Sequence, residues 1–241
     1  MPPHFLPTSE FMVTLKAMRS QKVPVLVAAL LLVSGLNMGA EVERPKSSRF
    51  DKAIAKFLEE DSNVRRAQGG ILFIGSSSIR MWDTANAFPG VGVLNRGFGG
   101  SWIQDTIHFA DKILLPYKPT KVVLYAGDND VSGGLKADAV YADFLKLATL
   151  NHDKLPETKI LYIAIKPSIK RWALWPEMKR ANDLIAKRCK DHSLEAFADI
   201  APLLLDNEGK PDPQFFIKDG LHLSAAGYAK WNAYIAPKLS E

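Results

Sequence analysis

Gly70-Ile-Leu-Phe-Ile-Gly-Ser-Ser-Ser-Ile79 is the stretch that decides the fold. Its first half is a continuous apolar run closed by glycines. A strand with one face in water alternates apolar and polar residues, so an unbroken run implies a strand buried on both faces. Similar runs recur at Gly92-Val-Leu94, Lys121-Val-Val-Leu-Tyr125, Lys159-Ile-Leu-Tyr-Ile-Ala-Ile165 and Leu194 to Ala198. Helical periodicity fills the intervals at Ser101–Leu114, Ala137–Asn151, Pro176–Asp191 and Ser224–Leu239. Each is long enough for a right-handed crossover between parallel strands. The expected class is therefore a three-layer α/β domain over residues 70–241. Before it, in residues 41–69, Phe50, Ile54, Phe57 and Leu58 recur at helical spacing and predict an amphipathic helix packed on the domain edge.

Composition agrees with one globular core. Of the 241 residues, 47% are hydrophobic and 24% charged, which excludes a disordered or collagen-like chain. The net charge of +5 is spread without basic residues interleaved with aromatics, so no nucleic-acid partner is expected. Cys189 is the single cysteine, which excludes an intrachain disulfide and a cysteine-based zinc site. No histidine or carboxylate cluster has ligand spacing, and neither a metal nor a cofactor is expected. At the amino end, Lys16, Arg19 and Lys22 precede an uncharged stretch centred on Val25-Leu-Val-Ala-Ala-Leu-Leu-Leu-Val33. This reads as a signal peptide over residues 1–40, cleaved after Ala40, with an uncleaved anchor as the alternative. The run falls short of the about 20 apolar residues a bilayer span needs. Export without a stable membrane span after cleavage is the expectation.

Reactive groups in an open parallel sheet collect at the carboxyl ends of the strands. Four segments meet that test: Gly75-Ser-Ser-Ser-Ile79, Asn95-Arg-Gly-Phe-Gly-Gly100, Gly127-Asp-Asn-Asp130 and Asp219-Gly-Leu-His222. A serine hydroxyl is a poor nucleophile at neutral pH and needs an adjacent base. His222 has a carboxylate three residues earlier, Asp219, able to accept the Nδ1 proton and fix the tautomer. His108, His152 and His192 read instead as surface or capping residues. The bland reading of the last segment is a turn with Ser224 as helix N-cap, and it is compatible with the catalytic one. Gly97, Gly99 and Gly100 permit backbone conformations that aim an N–H into the crevice, and Asn129 offers a side-chain amide. Taken singly, the glycine segment reads as a loop and Asn129 as a turn-former.

Together the four segments resemble the blocks of the SGNH or GDSL hydrolase superfamily, serine esterases and acylhydrolases, from about Ile71 to Tyr228. The resemblance implies a flavodoxin-like αβα sandwich about a five-stranded parallel sheet, with acyl ester hydrolysis as the activity. It places Ser77 on the nucleophile, Asp219 and His222 on the rest of the triad, and Ser77, Gly100 and Asn129 on the oxyanion hole. The aspartate of the family's Gly-Asp-Ser is Ser76 here, which leaves three consecutive serines, with Ser78 expected to cap the following helix.

Two regions carry expectations about substrate. Trp172, Trp175 and Met178 follow the fourth strand and form either an apolar or sugar-stacking wall over the crevice or core packing; Arg80 and Trp82 carry the same ambiguity. No long hydrophobic lid segment is visible. The expected substrate is therefore a small acyl ester, cleaved by a short-chain carboxylesterase or carbohydrate O-acetylesterase, ahead of a lysophospholipase or thioesterase. A carbohydrate- or lipid-binding module without turnover is the alternative from another class, and it leaves the joint presence of Ser77, Asp219 and His222 unexplained.

Overall fold

The computed structural model describes residues 42–240, so the expected leader lies outside the described residues. Five strands, β1 (Ile71–Gly75), β2 (Val93–Gly97), β3 (Lys121–Tyr125), β4 (Lys159–Ile163) and β5 (Glu195–Ala198), pair in parallel in the order β2-β1-β3-β4-β5. This is the flavodoxin-like order, and its direction reverses between β1 and β3. Helix α1 (Asp51–Asn63) precedes the sheet. Helices α2 (Ser77–Arg80) and α3 (Thr84–Ala87) follow β1, and α4 (Ile103–His108) and α5 (Ala110–Ile113) follow β2. Helices α6 (Asp128–Ser132) and α7 (Ala137–Lys154) follow β3, α8 (Trp175–Lys190) follows β4, and α9 (Ala225–Ser240) closes the domain.

Alternation along the buried strands divides the core in two. Leu72, Ile74, Val122, Leu124, Ile160 and Tyr162 face one side and pack with Ile103, Phe144 and Ile185 of α4, α7 and α8. Their neighbours Ile71, Phe73, Val123, Tyr125, Leu161 and Ile163 face the other and pack with Trp231, Ile235 and Leu239 of α9. Fully burying each such side chain contributes about 1.5–3 kcal/mol, so the sheet is held as a rigid platform from both faces.

The elements depart from the sequence pattern in two places. The helix expected over Ser101–Leu114 breaks at Phe109, whose φ of −102° and ψ of 11° leave the helical region. The break lets Phe109 bury against Ile54, Phe98 and Ile113, which is also how α1 is docked. Strand β2 runs beyond its apolar residues to Gly97, taking in the buried Arg96. That guanidinium is bonded to Asp61 of α1, and its Nε donates to the Tyr117 hydroxyl at 2.9 Å.

Candidate active site

Strand β1 ends at Gly75 with φ +127°, and a Cβ there would stand 1.9 Å from the carbonyl oxygen of Tyr125 on β3. Only glycine permits that approach. The chain then turns through extended Ser76 into α2, which Ser77 opens at the carboxyl edge of the sheet. On the other side of the reversal point, Asn129 stands in α6 just after β3.

The imidazole arrives from the far end of the chain. Phe216 and Leu223 form an antiparallel bridge, and Ser224 caps α9, its Oγ accepting the N–H of Gly227 at 3.2 Å. Between bridge and cap, the turn through Gly220, at φ +65°, folds Asp219 back on His222. The Asp219 Oδ1 accepts the N–H groups of Leu221 and His222 at 2.9 and 3.0 Å, and Oδ2 stands 2.6 Å from His222 Nδ1. His222 Nε2 stands 2.9 Å from Ser77 Oγ, across 145 positions of sequence. Desolvation raises the Asp219 pKa, but the bonds from the imidazole and the two N–H groups outweigh it and hold the carboxyl well below the ordinary range. An ionised Asp219 accepts a hydrogen bond from Nδ1–H, which fixes the tautomer whose Nε2 lone pair can accept the Ser77 hydroxyl proton.

This group opens into a crevice of about 450 Å³. Arg80, Gly99, Gly100, Asn129 and Leu221 line it together with Ser77 and His222. Of the three glycines expected to permit conformations that aim an N–H into the crevice, Gly100 alone has a positive φ, +84°. Gly97 and Gly99 serve clearance instead: a Cβ would come within 2.5 Å of the Arg80 backbone nitrogen and 2.8 Å of its Nε, respectively. The Asn129 Nδ2 donates one hydrogen to the Ser101 carbonyl at 3.1 Å, and Oδ1 accepts Arg171 Nη2 at 2.9 Å. With the oxygen occupied, the amide's remaining hydrogen is its free donor. Arg171 Nη1 also donates to Asp128 Oδ2 at 2.9 Å, and the buried Lys166 stands 3.6 Å from the same oxygen while donating to the Tyr125 hydroxyl at 3.2 Å. Desolvation lowers the Lys166 pKa, and Asp128 opposes the shift. Next to Asn129, the buried Asp130 accepts the Ile103 N–H at 3.0 Å, and burial pushes its carboxyl up to about 7.

Sequence reasoning missed Arg171 and Lys166, although both lie in the loop it singled out for its tryptophans. Three basic residues, Lys166, Lys170 and Arg171, in a strand-end loop, in a chain with an aspartate beside Asn129, were the available signal. Trp172 and Trp175 stack on each other with centroids 6.2 Å apart and do not line the crevice. Met178 and Trp82 are core, the latter donating from Nε1 to Asn232 at 2.8 Å. Ser78, expected as a cap, is buried inside α2, and Ser76 takes the N-cap position. His108 is exposed. The fold does assemble a histidine and carboxylate cluster that the spacing hid: His152, His192 and Glu195 at the amino end of β5, their ligand-type atoms within 4.8 Å of one another. Both Glu195 oxygens accept from Arg188, at 2.9 and 3.0 Å, so its charge is already matched. A larger pocket of about 570 Å³, at the amino ends of β1 and β2, is lined by residues such as Val64, Gln68 and Leu94 and holds no nucleophile and base pair.

The sequence profile of the GDSL-like Lipase/Acylhydrolase family matches residues 79–230, a span containing Gly100, Asn129, Asp219 and His222 and beginning two positions after Ser77. No curated protein matches the chain. Among solved structures, the chain is similar to a protein from Streptococcus pneumonia provisionally described as a platelet activating factor. The identity is 20%, with 79% of this chain and 93% of that one covered and a TM-score of 0.71. It is similar to a GDSL-like lipase from Bacteroides thetaiotaomicron at 20% identity, covering 78% and 97%, TM-score 0.66. It is also similar to a catalytic mutant of an acetylxylan esterase from Geobacillus stearothermophilus at 15% identity, covering 74% and 97%, TM-score 0.61. These likenesses establish a shared fold.

Proposed function

The chain belongs to the GDSL-like lipase/acylhydrolase family, and on that premise we propose that it is a serine esterase removing short acyl groups from small-molecule esters, carbohydrate O-acetyl groups among them. The observation that carries the reading is the continuous relay from Asp219 through His222 to Ser77, at 2.6 and 2.9 Å. Ser77 Oγ attacks the carbonyl carbon as its proton passes to His222 Nε2. The imidazolium so formed is stabilised by Asp219, and the charge on the carbonyl oxygen is met by the N–H groups of Ser77 and Gly100 and the Asn129 amide. His222 then protonates the departing alcohol. Water attacks the acyl-serine, its proton again taken by Nε2, and the carboxylic acid leaves with Ser77 restored.

The lining of the crevice supports a short acyl group. Leu221 is its one aliphatic side chain beyond the glycines, and an extended acyl chain needs an apolar channel to cover it. Export directed by residues 1–40 belongs to the same proposal, and amino-terminal sequencing of the chain recovered from outside the cytoplasm tests it: a start at Glu41 supports cleavage after Ala40. Activity is tested on p-nitrophenyl esters of increasing chain length and on acetylated sugars, with Ser77→Ala as control. Turnover greatest for acetyl and absent in the control is the expected result; preference for long chains overturns the substrate, and unchanged turnover in the control overturns the mechanism.

A further inference from the structure

We propose that the crevice selects esters carrying a negative charge near the scissile bond, a carboxylate, phosphate or sulfate, held by Arg80. The proposal rests on the esterase reading for the reacting bond but concerns another part of the substrate. Helix α2 is one turn long, with Ser77 first and Arg80 last. Residues three apart share a helix face with about 5–6 Å between their Cβ atoms, so an ester seated on Ser77 lies beside Arg80.

The guanidinium is both placed and unmatched. Its Nε, Cζ and Nη2 would be 2.8, 3.3 and 3.3 Å from a Cβ at position 99, so Gly99 keeps open the space in which the guanidinium lies against the loop carrying Gly100. Every other described arginine except Arg65 has a carboxylate within 4.0 Å. Arg80 has none among the described residues, and alone of these two it lines the crevice. Lys170 and Lys218 line a separate depression with Asp219, whose Oδ2 is paired with His222. With no carboxylate among the residues lining the crevice, Arg80 gives it a positive field that draws anions. A guanidinium also offers paired donors matching the oxygens of a carboxylate or phosphate, so the contact orients as well as attracts.

The test compares kcat/KM for 4-acetoxybenzoate and its neutral methyl ester, using the full chain and the variants Arg80→Gln and Arg80→Lys. The ratio of anionic to neutral ester is expected to fall about tenfold in Arg80→Gln and to be largely kept in Arg80→Lys. In the unsubstituted protein it is expected to decline as salt rises. A ratio unchanged in Arg80→Gln overturns the proposal, as does an equal loss on both esters. Parallel assays of 4-acetoxyphenyl phosphate and sulfate identify which anion is preferred. A binding arm is independent of turnover: the Kd of 4-hydroxybenzoate for Ser77→Ala is expected to weaken about tenfold when Arg80→Gln is added, and an unchanged Kd overturns the proposal. If Ser77→Ala hydrolyses both esters as well as the unsubstituted chain does, the esterase reading fails, and the binding arm alone decides this one.

Discussion

Two carboxylates are buried at opposite ends of the same sheet, Asp128 beyond the carboxyl end of β3 and Glu195 at the amino end of β5, and each is gripped by an arginine. The grips differ. Arg188 gives both of its bonds to Glu195 and ties α8 to the edge strand β5, with His152 and His192 stacked alongside. Arg171 divides its bonds between Asp128 and the Asn129 side chain. One cluster ends on itself, and the other ends on an amide that lines the crevice. Burying a charge costs several kcal/mol wherever it happens, and in this chain the cost secures an edge at one end and aims a hydrogen-bond donor at the other.

That contrast is broken most severely at Asn129. Asn129→Ala removes the proposed oxyanion donor and is expected to lower kcat about 10²–10³-fold, with a cost of only about 1–2 kcal/mol in unfolding free energy from the bonds it makes to Ser101 and Arg171. Steady-state kinetics beside urea denaturation reads both quantities, and a variant that unfolds early while turning over normally would reverse the assignment. At the other end, Glu195→Ala leaves Arg188 without its partner. Because that arginine is partly exposed and can rehydrate, the expected loss is about 3 kcal/mol, near the lower end for a broken buried pair, with kcat of the folded protein retained. Arg171→Ala removes one of the two bonds that orient the Asn129 amide, the other being to the Ser101 carbonyl, so kcat is expected to fall about 10–100-fold at similar KM. Arg171→Lys should recover part of the loss, whereas a purely structural arginine would show its effect in denaturation alone.

A smaller effect comes from Asp130, beneath the same amide. Burial raises its carboxyl to about 7, above the ordinary value of about 3.9, so the folded state disfavours its ionisation. Its contribution is most favourable below about pH 4 and is lost as pH rises toward 7. Asp130→Asn is therefore expected to gain stability relative to the unsubstituted chain between pH 4 and about 7, by a few kcal/mol at most, measured by denaturant titration at several pH values. A constant difference across that range would show that Asp130 is ionised throughout. The smallest change is expected from Ser76→Ala, whose buried Oγ has no hydrogen-bond partner among the described residues and lies outside the relay, so activity should persist.

The strands and the segments after β1, β2 and β3 were legible because burial on two faces writes an unbroken apolar run, and because Ser77, Gly100 and Asn129 stand within a few positions of a strand end. Asp219 and His222 share one turn, so their pairing could be read locally. Ser77 and His222 are 145 positions apart and meet through the packing of α9 on the sheet, which the motifs imply only together. What stayed hidden depends on contacts between distant segments. The helix break at Phe109 answers to Ile54 and Phe98, and the clearance at Gly97 and Gly99 answers to Arg80. Likewise Arg171 finds Asn129 across 42 positions and His152 finds Glu195 across 43, and no local spacing announces either.

The central claim is that Ser77, alone among the three consecutive serines 76–78, is the nucleophile activated by His222. Treatment with a fluorophosphonate, followed by peptide mass spectrometry, tests it directly. The account predicts one phosphonyl adduct on Ser77, abolished by Ser77→Ala and strongly reduced by His222→Ala. An adduct on Ser76 or Ser78, or labelling that persists undiminished in Ser77→Ala, would contradict it.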